Sequence, residues 1–342
     1  MPRRVPVNPF EPDQRKSVSQ VLEGMEQISF QGRMLGAAFR IWREMLTRNV
    51  YIFFGLAGAM VPAGMRRILV FLIENRYVDC LVATGANLFH DLHETLGRRH
   101  FMIDPNVDDG AMRDRGLDRI YDTYAPEKDF IATDHYVMDF ARTLDPARPV
   151  TTARFFERLG ERANRDKKDD GILTAAFRKG VPIYCPAIAD SSYGIALAVL
   201  AAKTGHKVAL DLVGDVMETE ELAATHRTGV IYVGGGTPKN FVQQTEVTTA
   251  ILRGDCRGHE YAIQITADAP HWGGLSGCTF QEAQSWGKIA RKAKMASVHC
   301  DATIALPILA SGLAQTGIRR KLPRPIAKRN PQSVTRKQSH GG

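Results

Sequence analysis

The sequence lacks both glycine signatures that usually mark a nucleotide site in an α/β protein. Neither G-x-G-x-x-G nor G-x-x-x-x-G-K-[ST] occurs in its 342 residues. It also has no apolar run of eighteen residues, which argues against a membrane-spanning helix. The opening MPRRVPVNPFEPDQRKS has arginines but no apolar stretch behind them, so it does not read as a secretory signal. The five cysteines, at 80, 185, 256, 278 and 300, form no C-x-x-C pair and are odd in number. Several sit in strand-like apolar stretches, so buried thiols in a reducing cytoplasm are expected rather than a disulfide framework or a zinc site.

What is present is ordinary for a globular protein: 44% apolar and 24% charged residues, in a chain long enough for one large α/β domain or two smaller ones. The net charge of +8 would suggest nucleic acid as a partner, but it is not spread over the chain. Arg319, Arg320, Lys321, Arg324, Lys328, Arg329, Arg336 and Lys337 hold eight positive charges with no acid among them. They match the whole excess, which leaves a near-neutral body and a basic tail that reads as solvated. No aromatic residue is interleaved with the tail, so a nucleic-acid surface is not expected.

Three parts follow from the pattern: an extended arm over 1–20, an α/β body over 21–316 and a basic tail over 317–342. Residues 24–48 carry apolar positions at helical spacing. A strand over 51–54 leads to the small-residue turn GLAGAM, and Pro62 opens a helix that runs to about Glu74. A strand over 78–82 runs into ATGAN, with a helix expected from about Leu88. His90 and His93 on that helix are three apart and could share a metal, but nothing supplies a third ligand, and no metal is expected. Residues 98–130 read as a long charged connection. Helices over 135–144, 152–162 and 171–178 follow, with KKDD at 167–170 as a solvated turn.

The second half alternates cleanly. Strands over 181–184, 208–212, 230–233, 261–266 and 296–300 are separated by helices over 195–203, 219–225, from Thr237 as N-cap, through 286–288, and over 304–313. Such alternation requires right-handed crossovers and a mostly parallel sheet with helices on both faces, a Rossmann-like α/β fold. Ligands in such folds bind at the carboxyl ends of the strands. The loops expected there are ATGAN, ADSS, GGGTPKN, ADAPHWGG and CDAT. The triple glycine at 234–236 could cradle a phosphate on free amides or simply make a tight turn. Asp190, Asp268 and Asp301 each follow a strand, where a carboxylate holds a ribose hydroxyl or caps a helix.

The stretch GGLSGCTFQEAQSWGKI, residues 273–289, is the densest in chemistry-bearing residues. Glu282 and Trp286 are four apart and would share a helix face, with Lys288 projecting near the helix end. An amine partly desolvated beside an indole is a better nucleophile; the plainer alternative is a packing tryptophan with a snorkelling lysine.

FFGLAGAMVPAGMRRILVFLIENRYVDCLVATGANLFHD, VPIYCPAIADSSYG, GGGTPKNF, QEAQSWGKI and VHCDATIALPIL together resemble the deoxyhypusine synthase family, in the family's order over most of residues 50–315. That resemblance implies NAD, oxidation of spermidine, and a tetramer of paired dimers with sites at subunit interfaces. It also implies an aminobutyl group held as an imine on a lysine and passed to a protein lysine or to an amine. By it, Lys288 is the imine-forming lysine, Trp286 packs on the substrate's aliphatic part, and Glu282 holds an ammonium end or orients Lys288. Thr84, Gly85, Asp190, Gly235, Gly236, Asp268 and Asp301 would face the adenosine, ribose and pyrophosphate of NAD.

The sequence also departs from the family. Asn240 stands where the family has a histidine that assists oxidation, and asparagine does not accept a proton near neutral pH. His90 stands where a glutamate meets the polyamine. Ile195, Trp272 and Leu275 replace further acids. A polycation entering a pocket loses water and needs carboxylates, so either the amine differs or Asp91, Glu94 and Glu282 serve instead. His90 and His271 are candidates for the missing proton transfer. An amine acceptor is favoured over a protein acceptor, and a non-catalytic NAD-binding homologue is the remaining alternative.

Overall fold

In the computed structural model, residues 5–254 and 257–320 are described; Cys256 and the tail beyond Arg320 lie outside them. Two helices open the chain, α1 (Val18–Met25) and α2 (Phe30–Thr47). A single helix over 24–48 is therefore corrected: Phe30 adopts a left-handed φ of 57°, which no helix interior tolerates, and the chain turns there. Helix α1 begins inside the expected arm because Ser17 and Gln20 form a capping box.

Strand β1 (Tyr51–Leu56) follows, then a turn over Val61–Met65, α3 (Arg66–Glu74), β2 (Cys80–Ala83) and α4 (Gly85–Thr95). Gly64, at φ 85°, separates the Pro62 turn from α3, so Pro62 does not open one continuous helix. Helix α4 starts three residues before Leu88, because Thr84 caps it by accepting from the Asn87 amide.

The long connection contains β3 (Phe101–Met102), α5 (Asp109–Asp114), β4 (Leu117–Ile120) and β5 (Thr123–Pro126), with the strands in an antiparallel sheet ordered β3-β5-β4. Helices α6 (Glu127–Ala141), α7 (Thr152–Asp166) and α8 (Ile172–Lys179) lead to β6 (Ile183–Tyr184) and α9 (Ser192–Thr204). The KKDD turn is not merely solvated, since Asp169 pairs with Arg66 and Arg67 while Asp170 pairs with Lys167 and Arg178.

No strand forms over 208–212: Leu210 makes one isolated bridge to Val150, and α10 (Leu212–Thr225) begins at once because Asp211 caps it. The chain ends as β7 (Thr228–Val233), α11 (Gly236–Arg253), β8 (His259–Thr266), α12 (Phe280–Ser285), β9 (Ile289–His299) and α13 (Ala302–Ala314).

The main sheet is ordered β6-β2-β1-β7-β8-β9, and every pairing in it is parallel. Counted along the chain within this sheet, the order is 3-2-1-4-5-6, that of a doubly wound dinucleotide fold. Its faces are both covered, because strand side chains alternate. Ile52, Phe54, Leu56, Ile231 and Val233 join one core with α2, α3 and α13, whereas Tyr51, Phe53, Val230 and Tyr232 join the other with Val242 of α11 and Phe280 of α12. Trp42, fully buried in the first core, donates its indole N–H to the Tyr77 carbonyl at 3.2 Å. No helix among the described residues is long and apolar enough to cross a membrane.

The described end of the basic tail is part of this body. Arg320 pairs with Asp79 at 2.7 Å, both side chains buried, and donates to the carbonyls of Arg76 and Val50. The solvated reading therefore fails for Arg320.

Candidate active site

The strand order fixes where the crevice lies. The chain runs outward one way through β1, β2 and β6, then returns beside β1 to run the other way through β7, β8 and β9. The β1 and β7 loops diverge at this switch, opening a gap at the carboxyl ends.

Each wall of the gap is locked by a buried amide. On the β1 side, Asn87 donates to the carbonyls of Gly58 (2.7 Å) and Ala57 (3.4 Å) and to Thr84 Oγ1 (2.9 Å), while its oxygen accepts from Val61 N. On the β7 side, Gln264 donates to the carbonyls of Gly234 (3.0 Å) and Ser276 (2.7 Å), and Ser276 Oγ accepts from Gly236 N (3.1 Å). The 273–279 loop is thereby tied onto the triple glycine. A Cβ on Gly235 would overlap the Ser276 backbone, whereas one on Gly236, at φ 55°, meets open space.

The predicted cofactor residues share this edge. Thr84 and Gly85 start α4, Gly235 and Gly236 start α11, Asp190 precedes α9, Asp268 follows β8 and Asp301 precedes α13. Thr237 is not the cap of α11. That place falls to Gly235, which has no side chain to offer; in the first turn Gly236 N donates to Ser276 Oγ, Lys239 N to the Gly235 carbonyl, Pro238 has no N–H, and among the described residues the Thr237 N–H is left without a partner. An anion such as a pyrophosphate is favoured at such an end by the helix dipole and by the free Thr237 N–H. Three of the residues have internal duties, the first being Thr84 as the cap of α4. Asp301 caps α13, and its hydrogen bonds from Thr303 hold its carboxyl below the usual range. Gly85 is a glycine because a Cβ would overlap Ser191 Oγ.

The lysine cluster lies on the sheet face covered by α11 and α12. Helix α12 is shorter than expected and ends at Ser285. Trp286 caps it, Gly287 turns at φ 72°, and Lys288 N returns to the Ala283 carbonyl at 3.0 Å. Glu282 and Trp286 therefore flank a helix end, and Lys288 lies beyond it. Lys288 is buried, with Nζ 5.5 Å from the centre of the Trp286 ring, and no salt bridge to it is found among the described residues. Glu282 and Trp286 are exposed.

Beside Lys288 lies a residue that the sequence did not single out. Lys239 is 1% exposed and donates to Gln264 Oε1 (2.9 Å), Cys278 O (2.5 Å) and Ser276 O (3.4 Å). Burial pulls its amine down to about 8; Cys278 and Glu282 oppose this, and the positive charge of Lys288 reinforces it. Its position three residues after Gly236 was the one available signal. Its partners lie 25 to 39 residues away in the chain, and only the fold discloses them.

The remaining expectations divide. Asn240 is half-buried on α11 next to Lys239, while Ile195, Trp272, Leu275 and His271 are exposed. Asp91 is not available to an amine: it is fully buried and accepts from Arg66 and from the amides of Ile172 and Leu173. His90 lies in a cluster with His93, His100, Glu94 and Phe130. No group of metal-ligating side chains large enough to hold an ion exists among the described residues.

Comparison with known proteins agrees with this architecture. The family profile described as deoxyhypusine synthase matches residues 20–313. A protein of Archaeoglobus fulgidus named Probable deoxyhypusine synthase 2 is 53% identical over 87% of this chain and 97% of its own length. One of the same name from Methanosarcina acetivorans is 50% identical over 87% of each chain. The Entamoeba histolytica crystal structure named for deoxyhypusine synthase shares the fold, with a TM-score of 0.62 at 18% identity, covering 92% of this chain and 99% of the other.

Proposed function

The chain belongs to the deoxyhypusine synthase family, and from that premise we propose that it is a NAD-dependent aminobutyl-type transferase working through an imine on Lys288. Family membership supports an aminobutyl transferase; the amine, the cofactor and the lysine are the finer parts of the proposal. The observation that carries it is Lys288 itself, a buried lysine with no carboxylate partner among the described residues, held under an aromatic ring and next to a second buried lysine.

A structural lysine is ordinarily paired or solvated. One that is neither is suited to accept a carbon electrophile. A bound nicotinamide would supply the hydride acceptor that turns the substrate amine into such an electrophile, and the start of α11 with Gly235 and Gly236 would hold the pyrophosphate. Lys288 Nζ then adds to the oxidised carbon, the bond from that carbon to the departing diamine nitrogen breaks, and the fragment stays on the enzyme. Attack by an acceptor amine on the same carbon returns Lys288 free and leaves the fragment on the acceptor as an imine, which the hydride removed in the first step would reduce to the amine on its return. Trp286 offers its face to a cation and its ring to methylenes. The 273–279 loop, clamped by Lys239 and Gln264, sets where Lys288 and Glu282 stand relative to the crevice.

We favour a small amine as acceptor, because Trp272, Leu275 and Ile195 make the approach less acidic than a polycation pocket requires. The names of the relatives favour the second reading, a protein lysine as acceptor. Incubation with NAD and a panel of polyamines, borohydride trapping and intact-mass measurement test the proposal. A mass gain equal to a reduced aminoalkyl fragment is expected. Its absence with every amine, in protein shown to bind NAD, contradicts the proposal. A labelled polyamine then shows whether the label leaves on an amine or on a protein.

A further inference from the structure

Helix α4 begins at the crevice, where Thr84 and Asn87 hold the β1 loop, and carries one stripe that is not buried: Ala86 is exposed, His90 and Glu94 are half-buried, and most of their neighbours are enclosed. Spaced four apart, these residues step away from the crevice by about 6 Å each. His100, from the segment after the helix, lies across the stripe. Its Nδ1 is 2.7 Å from Glu94 Oε1, and its Nε2 is 2.9 Å from His90 Nδ1.

This chain of contacts assigns the tautomers. A carboxylate only accepts, so Nδ1 of His100 carries the proton. In the neutral ring Nε2 is then an acceptor, which makes Nδ1 of His90 the donor and leaves Nε2 of His90 with a bare lone pair. Among the described residues that atom has no hydrogen-bond partner and is not one of the enclosed polar atoms.

We propose that Glu94, His100 and His90 form a proton relay, with His90 Nε2 as the base that deprotonates the substrate ammonium at the crevice and Glu94 and His100 as its positioning residues. This deepens the transferase reading and rests on it. The chemical need is specific: an ammonium has no lone pair, so it can neither lose hydride from its carbon nor attack an imine. In the step, the N–H bond of the ammonium breaks as His90 Nε2–H forms. At the same time His90 gives its Nδ1 proton to His100 Nε2. The result is a free amine, a neutral His90 and an imidazolium at His100 paired with the Glu94 carboxylate, an arrangement in which the carboxylate orients and stabilises without taking the proton.

The surroundings favour His90 as a conduit rather than a store. Burial, then His100 and His93, push its imidazole down to about 3, so it does not retain a proton. His93, brought down to about 4 mainly by burial, is neutral as well; its ring is 5.1 Å from that of His100, and Thr133 of α6 meets its Nδ1. The other charged groups facing the relay are Arg66 of α3, 3.8 Å from Glu94 and paired with Asp91 and Asp169, and Arg98 with Asp129 of α6. From α9, Tyr193 packs on Phe89 and donates to the Leu88 carbonyl. The acid missing at position 90 is thus present one turn further along α4, connected through two imidazoles.

Two measurements test this. Nitrogen–proton correlation spectra of protein labelled at histidine nitrogen should show both His90 and His100 protonated at Nδ1, and Glu94→Gln should disturb both. The rate of borohydride-trapped adduct formation at about pH 7 should fall about a hundredfold in His100→Gln and in Glu94→Gln. It should recover as pH rises toward the range where the amine deprotonates unaided. His90 protonated at Nε2, or a pH profile in folded Glu94→Gln that matches the unaltered protein, overturns the relay. His90→Asn, at a half-buried position, keeps the test open if the other variants do not fold. If the unaltered protein forms no adduct, the transferase reading fails while the tautomers still decide the relay.

Discussion

Two buried cations divide this molecule by use. Arg66, on the α3–α4 side, is 3% exposed and meets three carboxylates, those of Asp91, Asp169 and Glu94, which together raise its already high basicity. Lys239, on the α11–α12 side, is as deeply buried and meets only amide and carbonyl oxygens, so its basicity falls. The difference shows how burial can be read. A cation whose charge is matched holds helices together, and one left unmatched marks where the protein keeps positive charge for an incoming group. Lys288 shares the second condition.

The largest effect should come from breaking the matched side. Arg66→Ala leaves Asp91 charged and enclosed, and denaturant unfolding should show a loss of about 3–5 kcal/mol. Arg320→Ala, which strands Asp79 in the same way, should lose a similar amount. Lys239 should behave oppositely with pH. Its folded value is depressed to about 8 from an ordinary 10.5. The unfolded chain therefore binds more protons between those limits, so this residue penalises folding below about pH 8, and the penalty disappears as pH rises to about 10.5. Relative to Lys239→Met, the unaltered protein should gain on the order of 3 kcal/mol across that window in unfolding measurements. A flat difference would mean that Lys239 is as well matched as Arg66.

Smaller effects separate the two glycines that shape the unmatched side. Gly235→Ala forces the Ser276 backbone away and should cost about 1–3 kcal/mol, with adduct formation impaired. Gly236→Ala meets open space and carries only the left-handed strain, about 1–2 kcal/mol. Thermal unfolding with trapping kinetics ranks the pair. Equal losses of adduct formation would show that the loop lock is not what positions the lysine.

The same division explains what could be read from the sequence. The βα alternation over 181–313 announced a parallel doubly wound sheet, because strand and helix periodicities are local. The break at Phe30 and the early start of α4 at Gly85 depend on a left-handed residue and on a side-chain cap, which apolar spacing does not register. The apolar run at 208–212 suggested a strand that the fold grants only one bridge. Lys288 and Trp286 were conspicuous as a motif. Lys239 was not, because a lysine is ordinarily exposed and nothing local reveals that Gln264 and Cys278 will enclose it. His90 was read as a candidate for the missing proton transfer, but its coupling through His100 to Glu94 depends on how the chain returns after α4.

The account's central claim is that Lys288, rather than its more deeply buried neighbour Lys239, forms the covalent bond. Peptide mapping of the borohydride-reduced adduct tests this most directly. The account predicts the added mass on the peptide containing Lys288, and no adduct in folded Lys288→Ala. Mass found on Lys239, or an adduct that survives Lys288→Ala, would contradict it.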